Sequence, residues 1–300
     1  MALDLLIVTD LDDTVYDWLG FYIPSFWAML QEVARISGLP EDELVPAFRR
    51  VHQRHGTTEY AFSIEELDVL PPVRTPHDLH ERLERFGPAI RAFRESRKDL
   101  LRPYPGVRDT LESLVAAKVP IVAYSDSMIE YVSRRLRQLD VDQYFAAIYA
   151  PEDHGIPANL PEALLRKKAP EEVRARTDHR AIPEGRRKPD PEILTTIARD
   201  LGCPISRTVY VGDSLSRDVR MAQDAGAIDV WARYGAHKAG QDLELLKRIT
   251  YWKEQHMETA EGAVASPSQS TPGFVIDAFS DLLDIVRMVM HQGMPSTPSI

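Results

Sequence analysis

The chain has 300 residues, of which 44% are hydrophobic, and a formal net charge of −10. That length allows one large domain or a core with a smaller companion. The acidic balance argues against a nucleic-acid partner, and no apolar run reaches the ~20 residues that span a bilayer, so no membrane association is expected.

The N-terminus shows no basic-then-apolar leader pattern. The single cysteine, Cys203, excludes an intrachain disulfide and fits a reducing, cytoplasmic setting. It lies in Leu-Gly-Cys-Pro with no base near it in sequence, and reads as structural rather than nucleophilic.

The first expected element is a buried strand in Leu5–Thr9, an apolar run rich in β-branched residues. It ends in Asp10, Asp12 and Asp13. Asp10 and Asp12 are two apart, so an extended backbone points them the same way. Two near carboxylates call for a positive charge between them, and Mg²⁺, a hard divalent cation, suits oxygen ligands of this type. The plainer alternative is a polar strand end that caps the next helix.

From Tyr16 to Leu100 the pattern is helical. Phe21–Ser37 has apolar residues at helical spacing and stops at Gly38, and Pro40–His55 begins acidic and ends basic. Ile64–Leu70 and His77–Phe86 continue it, with Pro71-Pro72 as a breaker. With no strand signal here, residues 17–100 read as a helical cap inserted into an α/β core made of 1–16 and 101–290. Arg49, Arg50, His52 and His55 are weighed as a surface facing an anionic substrate and, in preference, as a solvated helix face. Tyr16 and Trp18 fit equally as walls of a site or as packing at a hinge.

The α/β pattern resumes after the turn-forming Arg102–Gly106. Val107–Lys118 reads as a helix, Val119–Tyr124 as a strand ending in Ser125-Asp126-Ser127, Glu130–Leu139 as a helix and Tyr144–Ala150 as a strand. Pro151–Arg187, rich in Pro, Arg, Lys and Glu, reads as a surface insertion or long loop with one helix around Pro161–Lys168. Pro191–Leu201 is an expected helix, Thr208–Val211 a strand ending in Gly212-Asp213-Ser214, Arg217–Gly226 a helix and Ile228–Ala232 a strand. Gln241–His256 is a charged helix, Glu261–Gly273 a flexible linker, Phe274–Ile276 an edge strand and Phe279–Met290 a closing amphipathic helix; residues from about 291 to 300 read as a disordered tail. No internal repeat is visible.

Three strand ends therefore carry polar groups: Asp10 with Asp12, Ser125 with Asp126, and Asp213 with Asp218. Lys188, in Arg187-Lys188-Pro189-Asp190-Pro191, opens the helix before the third. A parallel sheet would bring these ends side by side. A metal ion draws carboxylates from more than one element, and a phosphoryl group needs hydroxyl, amide and cationic contacts of the kind Ser125, loop amides and Lys188 supply.

Taken together, Asp10-Leu11-Asp12-Asp13-Thr14, Ser125 with Asp126, Lys188-Pro189-x-Pro191 and Gly212-Asp213-x-x-x-x-Asp218 resemble the haloacid dehalogenase superfamily of phosphohydrolases, over about Leu5 to Tyr234. Each motif alone is weak, and all four at their expected strand ends and helix start make a specific signal. Two departures stand out. Asp13 occupies a position where glycine is more usual, and the chain between Ser125 and Lys188 is long.

The resemblance implies a Rossmann-like three-layer α/β core with a parallel sheet, plus the helical cap. It implies Asp10 as nucleophile and Asp12 as general acid and then base. Mg²⁺ would lie between the Asp10 carboxylate, the Asp12 backbone carbonyl and Asp213. Ser125, Thr14 and Asp126 form the implied substrate-binding set, Lys188 holds Asp10 and the phosphoryl group by charge, and Asp218 orients the metal shell or Lys188. The implied activity is Mg²⁺-dependent hydrolysis of a small phosphorylated metabolite through an aspartyl-phosphate. A phosphomutase differs mainly in the acceptor of the phosphoryl group. A 2-haloacid dehalogenase is disfavoured by Asp12, because that branch of the family lacks an aspartate there. A non-catalytic binding protein is disfavoured by the intact Asp10, Asp12, Lys188 and Asp213. Substrate identity and oligomeric state have no sequence signal.

Overall fold

The computed structural model describes residues 3–153, 177–236, 240–251 and 270–292. Among them, seven strands form one sheet: β1 (Leu6–Thr9), β2 (Ile121–Tyr124), β3 (Ala147–Pro151), β4 (Asp178–Ile182), β5 (Thr208–Gly212), β6 (Ile228–Ala232) and β7 (Phe274–Ile276). Their order is β4-β3-β2-β1-β5-β6-β7, and every pair is parallel. β1 is central, with β2 on one side and β5 on the other, and later strands run outward in both directions. The topological switch point of this sheet therefore flanks β1, where open α/β sheets bind their ligands.

Strands buried on both faces read as continuous apolar runs, and β1, β2 and β5 are buried at every position. The pleat sorts their side chains. Leu6, Val8, Val122, Tyr124 and Tyr210 form one core, and Ile7, Ile121, Ala123, Val209 and Val211 belong to the other.

Four helices follow β1: α1 (Trp18–Ser37), α2 (Glu41–His55), α3 (Pro76–Arg85) and α4 (Gly87–Leu100). Then come α5 (Val107–Ala116), α6 (Ile129–Gln138), α7 (Pro191–Asp200), α8 (Arg220–Ala225), α9 (Gln241–Ile249) and α10 (Leu282–Gln292). Helices α5 and α6 cover the Ile7 face, while α7 and α8 cover the Leu6 face. The result is a three-layer, Rossmann-like α/β fold.

Several boundaries depart from the sequence reading for physical reasons. α1 starts at Trp18 rather than Phe21, because the Asp17 carboxylate accepts from the Gly20 N–H at 2.8 Å and Asp13 Oδ1 accepts from the N–H groups of Trp18 and Leu19 at 2.9 and 3.2 Å. Asp13 adopts φ 61°, the left-handed backbone region, which accounts for glycine suiting this position. Ile64–Leu70 forms no helix. Residues 61–66 are consecutive turns, and the buried Arg82 guanidinium donates to the carbonyls of Ile64, Glu65 and Pro71. Those carbonyls are thus satisfied without a helix, and Pro71-Pro72 prevents one from continuing. α4 begins at Gly87-Pro88, where proline is tolerated because the first turn has no internal acceptor for its missing N–H.

The segment read as an insertion, Pro151–Arg187, returns to the sheet as β4. Asp178-His179-Arg180-Ala181-Ile182 lacks apolar alternation because it is an edge strand with only Ile182 buried. The expected helix at Pro161–Lys168, the greater part of the 261–273 linker and the terminal tail lie outside the described residues. The charged helix appears as α9. It packs on α1 and α2 rather than on the sheet: His52 Nδ1 is 2.7 Å from the Ile249 carbonyl, and Arg248 pairs with Glu41 at 2.9 Å over the Trp27 ring.

Candidate active site

The ends of β1, β2 and β5 meet at one edge of the sheet. Asp10 follows β1 directly, and its backbone N–H donates to the Val211 carbonyl of β5 at 2.8 Å. Asp213 follows β5, with its carbonyl fixed by the Trp231 indole N–H at 2.8 Å. Asp218 sits in a single wide helical turn, Leu215–Val219, that folds back on β5. A Cβ at Gly212 would lie 2.4 Å from Asp218 Cγ, so only glycine admits this carboxylate. Gly235 is required in the same way, because a Cβ there would lie 1.6 Å from the Asp13 carbonyl oxygen. Asp10, Asp213 and Asp218 are all buried, and each offers a carboxylate oxygen within 4.8 Å of the others.

Lys188 meets this cluster from the loop before α7. Its Nζ lies 2.5 Å from Asp10 Oδ1 and 3.0 Å from Asp218 Oδ1, over the rings of Tyr124 and Tyr210. The Lys188 N–H donates to Asp126 Oδ1 at 3.2 Å, and the other Asp126 oxygen pairs with Arg217. Asp126, expected among the substrate-binding residues, is thus engaged in placing the lysine.

Three buried carboxylates face one buried ammonium. Burial drives the Asp10 carboxyl well above its usual range, against the pull of Lys188 and with the help of Asp218, Asp213 and Asp12. Burial acts the same way on Asp218, but Lys188, Arg217 and the Tyr210 hydroxyl outweigh it and leave Asp218 below the usual range. Burial would strip Lys188 of its proton, and Asp10, Asp218 and Asp126 hold it there. This surplus of negative charge is the condition a hard cation relieves. The oxygens of Asp218 are engaged by Lys188, by the Tyr210 hydroxyl at 2.8 Å and by the Ser214 N–H at 3.1 Å. Asp10 and Asp213 are the cluster carboxylates that directly follow strand ends, and Asp218 fits the role of anchoring Lys188.

Asp12 is held differently. Its oxygens accept from Ser127 Oγ at 2.7 Å and Arg135 Nη1 at 2.9 Å. Arg135 also pairs with Glu59, which accepts from Ser127 Oγ at 3.1 Å and from the Trp18 indole N–H at 3.1 Å. The Arg135 guanidinium lies over the rings of Tyr16 and Phe21. Tyr16 thus packs under Arg135, and Trp18 holds Glu59. Sequence reasoning missed Arg135 and Glu59. One signal was available for the first: Arg135 shares the buried face of α6 with Val132 and Leu136, and a charge on an apolar face needs a partner.

Ser125 is fully buried, and its Oγ accepts from the Ser127 N–H at 3.0 Å. Thr14 is fully buried, with its hydroxyl lacking a hydrogen-bond partner among the described residues and its carbonyl accepting from Tyr234 at 2.6 Å. The α2 residues do not join the cluster. Arg50 pairs with exposed Asp68 and His55 with Glu66, while His52 is buried rather than solvated.

With this geometry in place, likeness to known proteins becomes specific. A sequence profile of the haloacid dehalogenase-like hydrolases matches residues 5–226, and the chain belongs to that family, a family of hydrolase enzymes. Over 293 residues it is 26% identical to the glyceraldehyde 3-phosphate phosphatase of Methanopyrus kandleri, spanning 94% of this chain and 96% of that one. Over 163 residues it is 28% identical to the phosphoglycolate phosphatase of Pseudomonas fluorescens, spanning 54% of this chain and 46% of that one. The fold is similar to a HAD phosphatase from Thermococcus onnurineus (TM-score 0.54, 18% identity, 94% of this chain and 97% of that one). It is also similar to the 2-haloacid dehalogenase from Pseudomonas syringae (TM-score 0.51, 20% identity, 95% and 98%).

Proposed function

We propose that this protein is a Mg²⁺-dependent phosphohydrolase that cleaves a small phosphorylated metabolite through an aspartyl-phosphate on Asp10. The observation that carries the reading is the buried cluster of Asp10, Asp213 and Asp218 around Lys188 at the switch point of the sheet. The names of the curated relatives, both phosphatases of small phosphate esters, support it.

Asp10, the Asp12 carbonyl and Asp213 would hold Mg²⁺, which supplies the positive charge that lets a phosphate dianion approach a carboxylate. Asp10 attacks phosphorus in line, so that its O–P bond forms as the bond to the leaving oxygen breaks. Asp12 gives that oxygen its proton, then takes one from the water that releases inorganic phosphate from Asp10. Lys188 offsets charge on Asp10 and on the phosphoryl group. Residues 17–100 act as a cap over this site, and Glu59 links them to Asp12 through Arg135 and Ser127. A cytoplasmic setting completes the reading, supported by the lone, buried Cys203.

The test is hydrolysis of 4-nitrophenyl phosphate with Mg²⁺ and with chelator, for the wild type and Asp10→Asn. Turnover that requires Mg²⁺ and falls at least about a thousandfold in the variant is expected. Metal-independent turnover, or a variant as active as the wild type, would overturn the reading.

A further inference from the structure

A cavity of about 160 Å³ lies between α1, α4, α6 and residues 59–64, and its lining does not include Asp10, Asp213 or Lys188. Its walls are mostly apolar and aromatic: Phe21, Tyr22, Phe26, Phe93 and Tyr131. It ends against Glu59 and Arg135, and Arg135 also holds Asp12, so an occupant would lie one side chain away from Asp12.

Four arginines converge on this space: Arg94, Arg97, Arg134 and Arg135. The acids beside them are committed. Glu59 is paired with Arg135, Glu130 with Arg134 at 2.6 Å, and Asp153 accepts from the Glu130 N–H at 2.8 Å. Arg97 is left over. Its side chain makes no hydrogen bond or ion pair with any described residue, and its Nε is buried without an acceptor. Burial, and then repulsion by Arg134, Arg135 and Arg94, push its guanidinium down to about 10 against a weaker pull from Glu59. Arg97 is half-buried as a residue, but a guanidinium nitrogen buried without an acceptor is unfavourable, and a planar guanidinium is suited to a carboxylate. The volume is informative too, because about 150 Å³ is room enough for a benzene ring.

We propose that this cavity receives the non-phosphoryl part of the substrate, a benzene-sized apolar group bearing a carboxylate, with Arg97 as its counter-charge. The proposal rests on the phosphohydrolase reading and narrows it to esters of organic acids. The occupant is bulkier than the two-carbon and three-carbon esters for which the curated relatives are named.

The first experiment compares phenyl phosphate with 3- and 4-carboxyphenyl phosphate, in the wild type, Arg97→Met and Arg97→Lys. The wild type is expected to prefer a carboxylated ester in kcat/KM by about tenfold or more, the size of a charged hydrogen bond made in a desolvated site. Arg97→Met removes most of that preference, chiefly through KM, and Arg97→Lys restores part of it. A second experiment needs no turnover: calorimetric titration with phenylacetate and with its neutral amide. Phenylacetate should bind the wild type, bind Arg97→Met about tenfold more weakly, and outcompete the amide. Hydrolysis of all esters without a carboxylate preference, or equal losses on all esters in Arg97→Met, would overturn the cavity proposal and leave the phosphohydrolase reading intact. Phenylacetate binding that depends on Arg97, with no ester hydrolysed, would overturn the phosphohydrolase reading instead.

Discussion

His52 is only 1% exposed, packed between Phe26 and Phe48, with its Nδ1 2.7 Å from the Ile249 carbonyl. Burial lowers its pKa to about 4, against the hydrogen bond to Ile249 and with a smaller push from His55. Between pH 6.5 and 4 the unfolded chain therefore binds a proton that the folded chain refuses. The stabilisation is complete above about pH 6.5 and lost as pH falls towards 4, a swing of roughly 3 kcal/mol for a shift of this size. Thermal melts of His52→Asn across this window should show a flatter fall in Tm than the wild type; parallel curves would mean that another group sets the acid limit. Among the catalytic candidates, Asp10, Lys188 and Asp213 were legible because each terminates or opens an element at fixed spacing. Glu59 was not, since its partner Arg135 is 76 positions away and no local pattern links them.

At the scale of elements, α6 depends on a single charged residue. Arg135 is buried between two carboxylates from different parts of the chain, Asp12 after β1 and Glu59 before α3. Removing one member of such a cluster leaves uncompensated buried charge. Arg135→Met is expected to destabilise the protein by about 3–5 kcal/mol in denaturant melts, and Glu59→Gln made in the same background should recover part of the loss. Additive losses would show that the pair is not coupled. The central strands were readable from sequence because burial on both faces enforces β-branched apolar runs. The edge strand β4 was not, because a strand with one neighbour and an exposed face has no need of that pattern. Ile64–Leu70 misled in the opposite direction. Ile64, Leu67 and Leu70 are buried, but Arg82, from a later helix, satisfies the Ile64 and Glu65 carbonyls, and tertiary contact overrides the local period.

Considered whole, the chain passes between sheet and helical block more often than the motif order implies. It leaves β1 for α1, returns through α5, and later sends α9 back to lie on α1 and α2 before β7 closes the sheet edge. The periodicity of Gln241–Ile249 announced a helix, but no local signal could say which surface it would cover. Beyond the Ile249 carbonyl, Thr250 Oγ1 approaches Thr58 Oγ1 at 3.4 Å, and Arg187 reaches the Gly56 carbonyl at 3.4 Å. The block is thus riveted to chain from both halves of the sheet, and neither part can melt while the other keeps its full set of neighbours. Scanning calorimetry should accordingly record one heat-absorption peak with a calorimetric enthalpy close to the van't Hoff value, where a loosely hinged pair of units would give two.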